Sequence, residues 1–291
     1  MKIIKHLLLV LPFAFVAGTL NAQTIKVKRE SLYGSKINVP VKIEVEERNG
    51  YVFYAHNDSY YDYTVHLEIT DIVNLTPTKV DQSFRVRPGK NRLVQLKIQD
   101  GSRRPSYRFN YTYSIGVKRG KPDIDFPYLI PVKAPFEIKT SNTEEKDILP
   151  NQFSMQQGDT VYAARRGKIV ATPGMFDGMD RISQNNAIEI QHPDGTLMIY
   201  ENIDPESGLV KAGDEVLPGQ AIGLLDELGL LNIILYKSTG DGYLEAMYIH
   251  YYTDDQHVET FSEKLQNTPV KHPQDIVTKE FSRKELKQLK K

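Results

Sequence analysis

Cysteine and tryptophan are both absent from the 291 residues of this chain. Without cysteine the protein has no disulfide, no thiolate zinc site, no cysteine nucleophile and no lipid-modified N-terminal cysteine. Any aromatic stacking on sugars is left to the 17 tyrosines and 11 phenylalanines. Net charge is missing as well, because 37 basic residues balance 37 acidic ones. Since no broad positive field is available to displace counterions, we expect no nucleic-acid partner.

Long apolar runs are also scarce, and the one that exists stands at the N-terminus. Lys2 and Lys5 precede an apolar run over Leu7–Val16, and small and polar residues follow up to Ala22. This order is typical of a secretory signal peptide, residues 1–22, with cleavage after Ala22. The run is shorter than the roughly 20 residues that a membrane span needs. We therefore expect an exported bacterial protein, periplasmic or on the cell surface, with no transmembrane segment after cleavage.

The pattern over residues 23–140 predicts a β-sandwich. Apolar and charged residues alternate over Val41–Glu46, Asn49-Gly50 is a hairpin turn, and Tyr51–Tyr54 is the returning strand. Short strands at regular spacing, with turn signals between them, are typical of such a fold. The remaining strands of this module are predicted at Tyr63–Ile69, Leu93–Ile98, Arg108–Val117 and Tyr128–Val132.

A polar stretch, Thr140–Asp147, separates this module from a second all-β region, residues 141–250. Pro173–Asn186 is rich in Gly, Asp, Asn and Met and is interpreted as a loop. Residues 251–291 are expected to form a polar extension with a basic, helical and solvated tail. Strands of the second region are predicted at Thr160–Ala163, Gly167–Ala171, Ala187–Ile190 and Thr196–Tyr200.

Four segments of the second region, taken in order, resemble the lysostaphin/LytM-type zinc endopeptidases of bacterial cell walls. They are Gly158–Val170, Asn186–Gly195, Thr196–Ile203 and Leu209–Gly223. The last segment alone is also typical of biotinyl and lipoyl carrier domains, but a carrier needs an exposed modified lysine between its halves, and none fits here. The resemblance implies an all-β chain in which the β-sandwich is followed by a LytM-like barrel-sandwich hybrid, a duplicated hybrid motif.

The resemblance also implies where a zinc site would lie. The family holds zinc with a His, an Asp four residues later and the second His of a His-x-His pair, which leaves one position for a water whose pKa falls toward ~7. A further His and the first His of the pair assist. These positions fall on Ile148, Gln152, Asn202, Leu231 and Ile233, and none of them retains a family ligand.

Histidine spacing supports this assignment without any alignment. No histidine lies between His66 and His192, and none lies between His192 and His250. A slip of one or two residues therefore cannot restore the ligand motifs. We predict no metal site, no cofactor and no catalytic residue at the family positions.

We therefore expect an exported, non-catalytic LytM-like envelope protein. The resemblance implies a partner that is peptidoglycan, a cell-wall hydrolase or another envelope protein, since inactive relatives act by contact. The groove that makes this contact is predicted between the loop Pro173–Asn186 and the strand Leu230–Tyr236. Tyr200, Glu201 and Asn232 are the residues expected to line it.

Two alternatives remain open. The first is a metal-dependent peptidoglycan endopeptidase with relocated ligands, for which His250 and His257, flanking Asp254 and Asp255, are the candidates. The second is a structural or adhesion module of the cell surface, with the sandwich as its working part. The tyrosines at 60, 61 and 63 could form a glycan-binding face, but packing between strands is the preferred interpretation.

Overall fold

The structure is a computed structural model that describes residues 26–28, 40–116, 122–133, 135–139, 150–175, 186–239, 243–253, 258–267 and 270–289. The predicted signal peptide and the polar stretch Thr140–Asp147 lie outside these residues. Strands make up nearly all of the regular structure, so the all-β prediction is confirmed. Among the described residues no helix has both the length and the apolar character needed to cross a membrane.

Residues 41–115 form the β-sandwich. One sheet has the strand order β2-β3-β7-β5 and the other has the order β6-β4-β8. Its strands are β2 (Val41–Glu47), β3 (Tyr51–Asn57), β4 (Tyr63–Val73), β5 (Leu75–Thr76), β6 (Val80–Val86), β7 (Gly89–Ile98) and β8 (Ser106–Ile115). Every second residue of β4 from Val65 to Ile69 is fully buried, as the apolar alternation predicts.

The hairpin between β2 and β3 shows why its turn has the sequence Asn49-Gly50. Both residues have positive φ, 49° and 118°. A Cβ at Gly50 would lie 2.0 Å from the carbonyl oxygen of Leu96 on β7. Only glycine fits there, because the turn is pressed against the neighbouring strand.

The second region is built on a nine-stranded sheet. Its strand order is β1-β19-β18-β15-β14-β13-β16, and β11 joins β18 and β10 beside it. These strands are β1 (Lys26–Lys28), β10 (Glu137–Lys139), β11 (Asn151–Ser154), β13 (Gly167–Ala171), β14 (Ala187–Gln191), β15 (Leu197–Glu201), β16 (Glu215–Val216), β18 (Leu230–Ser238) and β19 (Tyr243–Met247).

Two small sheets complete this region. β12 pairs with β17, and β20 lies between β21 and β9. Their strands are β9 (Pro127–Tyr128), β12 (Thr160–Tyr162), β17 (Ala221–Leu224), β20 (His250–Tyr252) and β21 (Val258–Thr260). A 3-10 helix at Glu263–Asn267 and two short helices, α1 (Gln274–Val277) and α2 (Arg283–Gln288), follow.

The domain boundaries drawn from the sequence need correction. Residues 126–138 were assigned to the sandwich, but their apolar side chains are part of the barrel core. β9 pairs with β20, and β1 pairs with β19, so both ends of the first assigned module belong to the second region. Tyr251, at the start of the assigned polar extension, is fully buried. Local patterns give strands correctly, but they do not say which sheet a short strand joins.

The C-terminal segment, residues 270–289, is docked on the barrel. The predicted helical tail is present as α2, which begins with a capping box between Ser282 and Glu285. The described residues of this tail are exposed, as expected, except for the partly buried Glu285, and the segment before the tail is tied to the barrel. His272 donates from Nε2 to the carbonyl oxygen of Ile130 (2.9 Å), and Glu280 and Glu285 form ion pairs with Arg165 and Arg166.

The nine-stranded sheet is covered on both faces. Odd-numbered positions of β18, such as Leu231, Ile233 and Leu235, point into the barrel core. Even-numbered positions, such as Ile234 and Tyr236, point to a second core that is shared with the sandwich residues Tyr61, Tyr63 and Val65. The sandwich therefore packs on the outer face of this sheet, and the candidate site lies on that same face.

Candidate functional site

A row of three polar side chains crosses the outer face of the sheet. The register pairs Gln152 of β11 with Asn232 of β18, and Asn232 with Glu201 of β15. The amide of Gln152 donates to Oδ1 of Asn232 (3.1 Å), and Nδ2 of Asn232 is 3.3 Å from Oε2 of Glu201. Side chains that lie opposite each other in a sheet point to the same face, so the three form one hydrogen-bonded polar row.

Glu201 is the only carboxylate in this polar row, and its environment disfavours its charge. Burial raises the pKa of Glu201, the amide of Asn232 lowers it, and the negative charge of Glu189 raises it further. Glu189 lies on the neighbouring strand β14, two residues from Ala187, the partner of Glu201 in the register. It is fully buried and accepts a hydrogen bond from the Tyr61 hydroxyl at 2.7 Å. The net pKa of Glu201 is raised above its ordinary value.

Asn202 is the residue after Glu201, and hydrogen bonds to backbone groups of two other residues fix its position. Its φ is 66°, a left-handed conformation that asparagine tolerates better than most residues. Nδ2 donates to the carbonyl oxygen of Leu230 (2.6 Å), and the carbonyl oxygen of Asn202 accepts from the amide of Asp226 (2.9 Å). The side chain is buried and ties the end of β15 to the start of β18.

Three of the predicted residues do not face the polar row. Leu231 and Ile233 are buried in the barrel core, on the opposite face of β18 from Asn232. They share no surface with Gln152, because residues one position apart on a strand point to opposite faces. Asn232 is the β18 residue beside Gln152. Tyr200 is not a groove residue either, since it is fully buried and its hydroxyl accepts from the amide of Ala164 (2.9 Å).

Ile148 and most of the predicted groove loop, residues 176–185, lie outside the described residues. So do Asp254, Asp255 and His257. His250 begins β20, is partly buried and pairs with Pro127 and Thr260. The relocated-ligand alternative therefore stays a prediction.

The donor set of this polar row does not suit zinc. Zinc in proteins is held by histidine nitrogen, thiolate and carboxylate, whereas Gln152, Asn202 and Asn232 offer amide groups. Oδ1 of Asn232 already accepts a hydrogen bond, and the Nδ2 group of Asn202 is a donor bonded to backbone. Within the described ranges no three His, Cys, Asp or Glu residues are placed to hold a metal. The side chains at 152, 202 and 232 do not fit the zinc ion that the resemblance implies.

The sandwich is anchored beside this polar row by polar contacts that the sequence did not reveal. The backbone amide of Asp62 donates to Oε1 of Gln191 (2.7 Å), and Nε2 of Gln191 donates back to the carbonyl oxygen of Asp62 (3.2 Å). With the bond from Tyr61 to Glu189, these contacts fix the sandwich over β14. The apolar residues Ile199 and Tyr236 are covered as a result.

Replacing Glu201 with glutamine is expected to stabilise the protein increasingly as the pH rises. Because its pKa is raised on folding, the folded state holds the Glu201 proton more tightly than the unfolded chain. That stabilisation is complete below the unfolded pKa and is lost as the pH rises through the folded pKa. Urea unfolding at about pH 4 and about pH 7.5 measures the effect.

Glu206→Gln is the matched control, since Glu206 is exposed on the following turn. Its effect should not change between the two pH values. A Glu201→Gln variant whose stability relative to the natural chain is the same at both pH values would contradict the assigned pKa shift.

The sequence profile of Peptidase family M23 matches residues 151–259. This range contains the polar row and most of the nine-stranded sheet. This part of the chain is therefore similar to Peptidase family M23, and the similarity covers the second all-β region only. No curated protein matches the chain.

Solved structures of several such proteins are similar to this one. The catalytic domain of the antimicrobial peptidase lysostaphin from Staphylococcus simulans is 22% identical, with a TM-score of 0.27, over 35% of this chain and 76% of that chain. Helicobacter pylori Csd3 is 13% identical, with a TM-score of 0.30, over 69% of this chain and 66% of that chain. A glycyl-glycine endopeptidase LytM from Ruminococcus gnavus, described as putative in its own structure, is 16% identical, with a TM-score of 0.26, over 40% of this chain and 58% of that chain.

The profile match agrees with the peptidoglycan-related function that the resemblance in the sequence implies. The sequence had already indicated this family on its four motifs. What it missed is the pairing of Gln152 with Asn232. The signal was available in the alternation of β18, where a one-residue shift in the assignment moves a side chain to the other face of the sheet.

Proposed function

We propose that this chain is an exported envelope protein that binds peptidoglycan, or regulates a cell-wall hydrolase or envelope assembly, without cleaving wall peptides itself. The observation that carries the proposal is the polar row of Gln152, Asn232 and Glu201. Two of its three members are amides, Gln152 donates to Asn232 at 3.1 Å, and Asn232 donates to Glu201 at 3.3 Å. A zinc-bound water needs three N or O ligands with free lone pairs around one open position, and this arrangement does not supply them.

The cover over the outer face supports a role in binding over one in catalysis. Tyr61 and Asp62 of the sandwich bond to Glu189 and Gln191 of β14. Ile199, beside Glu189, is buried against the sandwich. A wall peptide laid across the middle of this face would have to displace the sandwich, so contact with the wall or with a partner is assigned to the surface around it.

A sedimentation and digestion assay with insoluble peptidoglycan tests this function. The purified chain is expected to sediment with the wall material in a saturable way. Soluble fragments, measured by chromatography, should stay at the level of a protein-free control with and without added zinc. A lysostaphin-type enzyme run in parallel should release at least about a hundredfold more.

Two outcomes would count against the proposal. Zinc-dependent release that is abolished by His250→Ala or His257→Ala would establish the relocated-ligand enzyme instead. Absence of any sedimentation, together with no effect on the activity of a wall hydrolase added to the same assay, would remove both the binding and the regulatory role. Full binding by a chain that ends near Thr140 would assign the function to the sandwich as an adhesion module.

A further inference from the structure

The strand β8 forms a long unpaired edge of the sandwich. Its ten residues pair with β4 on one side, and in the part of the chain that the structure describes no strand pairs with the other side. Apart from β2 and β6, every other edge strand of the described sheets has four residues or fewer. An unpaired edge presents backbone N–H and C=O groups to which a further strand can bond.

The sequence of β8 lacks the features that keep edge strands from pairing. β2 carries four charged residues among its seven, and β6 carries two. β8 contains no proline, no glycine and one charged residue, Arg108, whose Nε lies 3.2 Å from Oδ2 of Asp71. The register shift of the β4–β8 pair places the extra residue in β4, between Thr70 and Val73, so β8 itself is continuous. Charge, proline and bulges are the usual protection of an edge, and β8 has little of it.

The aromatic side chains of β8 leave the sandwich core open along this edge. Phe109 lies opposite Ile69 of β4 in the register, and Tyr111 lies opposite Leu67. Both β4 residues are fully buried, so the two rings are on the core side of the sheet. Phe109 is nevertheless 40% exposed, and Tyr107 and Tyr111 are only partly buried. One more strand beside β8 would complete this layer.

The backbone of β8 turns its odd-numbered residues toward the free edge. The amide of Gly116 donates to the carbonyl oxygen of Asp62 (2.9 Å), which continues the ladder toward β4. The amide of Tyr111 donates instead to Oδ1 of Asn110 (2.9 Å), so it is not part of that ladder. Residues of an antiparallel strand direct their backbone groups to the two sides in alternation. The backbone groups of Phe109 and Tyr111 therefore face a neighbouring strand, once Asn110 releases the amide that it holds.

We propose that β8 pairs with β8 of a second copy of this chain, antiparallel, with a two-fold axis at Asn110. Phe109 then lies opposite Tyr111 of the partner subunit, and Tyr107 lies opposite Tyr113 of the partner subunit. Aromatic residues that face each other across two strands stabilise a sheet. The pairing is isologous, because each copy contributes the same strand, and it joins the two three-stranded sheets into one sheet of six.

Charge and symmetry favour a second copy over an unrelated peptide. In this register Arg108 lies opposite Thr112 of the partner subunit, so the one charge of the strand does not meet its own copy. The aromatic residues of β8 are arranged symmetrically about Asn110, and an unrelated sequence would not match them. The overlap, Ser106–Ser114, is about 30 Å long at about 3.3 Å per residue. A single strand pair is at the low end of interface size, so we expect a Kd of about 1–100 µM.

Sedimentation velocity over about 1–300 µM tests the dimer, with two opposite charge changes at the exposed Thr112. Thr112→Lys places a cation opposite Arg108 of the partner subunit twice in the dimer, so the Kd should rise about tenfold. Thr112→Glu places an anion there, and the Kd should fall. Gln82→Lys is the matched control, because Gln82 is exposed on β6, the opposite edge of the same sheet. It should leave the Kd unchanged.

Cross-linking tests the register, because the natural chain has no cysteine. Asn110 and its copy form a non-hydrogen-bonded pair at the axis, with Cα atoms about 4.5 Å apart, which a disulfide spans. Asn110→Cys should therefore form a disulfide-linked dimer under mild oxidation, seen on a non-reducing gel. Gln82→Cys should remain monomeric. Circular dichroism and the urea midpoint show whether each variant folds.

Three results would overturn the pairing: a chain that stays monomeric at the highest concentration, equal cross-linking of the two cysteine variants, or a Kd that moves in the same direction in Thr112→Lys and Thr112→Glu. The pairing does not rest on the proposed function. Loss of wall binding with the dimer intact would count against that function alone, and loss of the dimer with wall binding intact would count against the pairing alone.

Discussion

Replacing Arg165 with methionine is expected to lower the free energy of unfolding by about 3–5 kcal/mol. The side chain of Arg165 is 3% exposed and donates to Asp194 at 2.8 Å and to Glu280 at 2.6 Å. Its guanidinium lies 3.8 Å from the centroid of the Phe126 ring and 3.2 Å from the Tyr128 hydroxyl. Methionine fills a similar volume but leaves two carboxylates without their partner, and an unpaired buried charge is costly.

The loss should depend on pH in a defined direction. Burial alone would raise the pKa of Asp194, but the charge of Arg165 and the hydrogen bonds from Thr196 hold it below its ordinary value. The stability from this pair is therefore present above the ordinary aspartate pKa and is lost as the pH falls through the folded pKa. The difference between the natural chain and Arg165→Met should shrink in acid.

Urea unfolding at several pH values measures this difference. Arg103→Met is the control, since the pair of Arg103 with Asp100 is exposed and its removal should cause no measurable change. Limited proteolysis adds a structural readout, because the C-terminal segment should be cut faster in Arg165→Met once Glu280 loses its partner. A loss of stability equal to that of the control would show that the buried network contributes nothing.

Replacing Phe153 with alanine is expected to cost about 3–5 kcal/mol of stability. Phe153 is fully buried on β11, directly behind Gln152. Its ring contacts Phe136, Tyr251 and Phe261 edge-on, with centroids at 5.3, 5.8 and 5.2 Å. Alanine leaves a cavity among three aromatic rings that belong to three different segments, and these cannot collapse together to fill it.

Thermal and urea unfolding of Phe153→Ala and Phe153→Leu give the size of this effect. Leucine retains much of the volume and should lose clearly less than alanine. Leu228→Ala is the surface control, because Leu228 is 62% exposed and its truncation should stay within about 0.5 kcal/mol. A loss below about 1 kcal/mol in Phe153→Ala would mean that this aromatic cluster does not hold its segments together.

Local patterns predicted the elements of this fold well. The hairpin at Asn49-Gly50 could be read from two residues, because positive φ at both positions restricts the turn chemistry. The strands β13 and β14 were placed within a residue, since apolar β-branched runs between glycine or asparagine signals are hard to mistake. The helical tail was predicted as well, and its capping box is visible in Ser282 and Glu285.

The sequence predicted less accurately on which face of a sheet a side chain lies and which residues it contacts, for a physical reason. Leu231 and Ile233 stand at the positions of two family histidines, and the structure places both in the barrel core, on the face of β18 opposite Asn232. The period of a strand is two residues, so an assignment shifted by one position sends a side chain to the opposite face. Tyr200 was expected to line the groove together with Glu201, but the alternation along β15 turns it inward, where it is fully buried.

By itself, the sequence determined the all-β class, the similarity of its second region to Peptidase family M23 and the packing role of Tyr61 and Tyr63. These follow from residue identities and from short periodic patterns, which act locally. Only the tertiary structure decided that the sandwich lies on the outer face of the sheet, where Tyr61 bonds to Glu189, and that the C-terminal segment closes on Arg165. Such contacts join residues more than a hundred positions apart, and their geometry depends on how the sheets twist and pack, which no local pattern records.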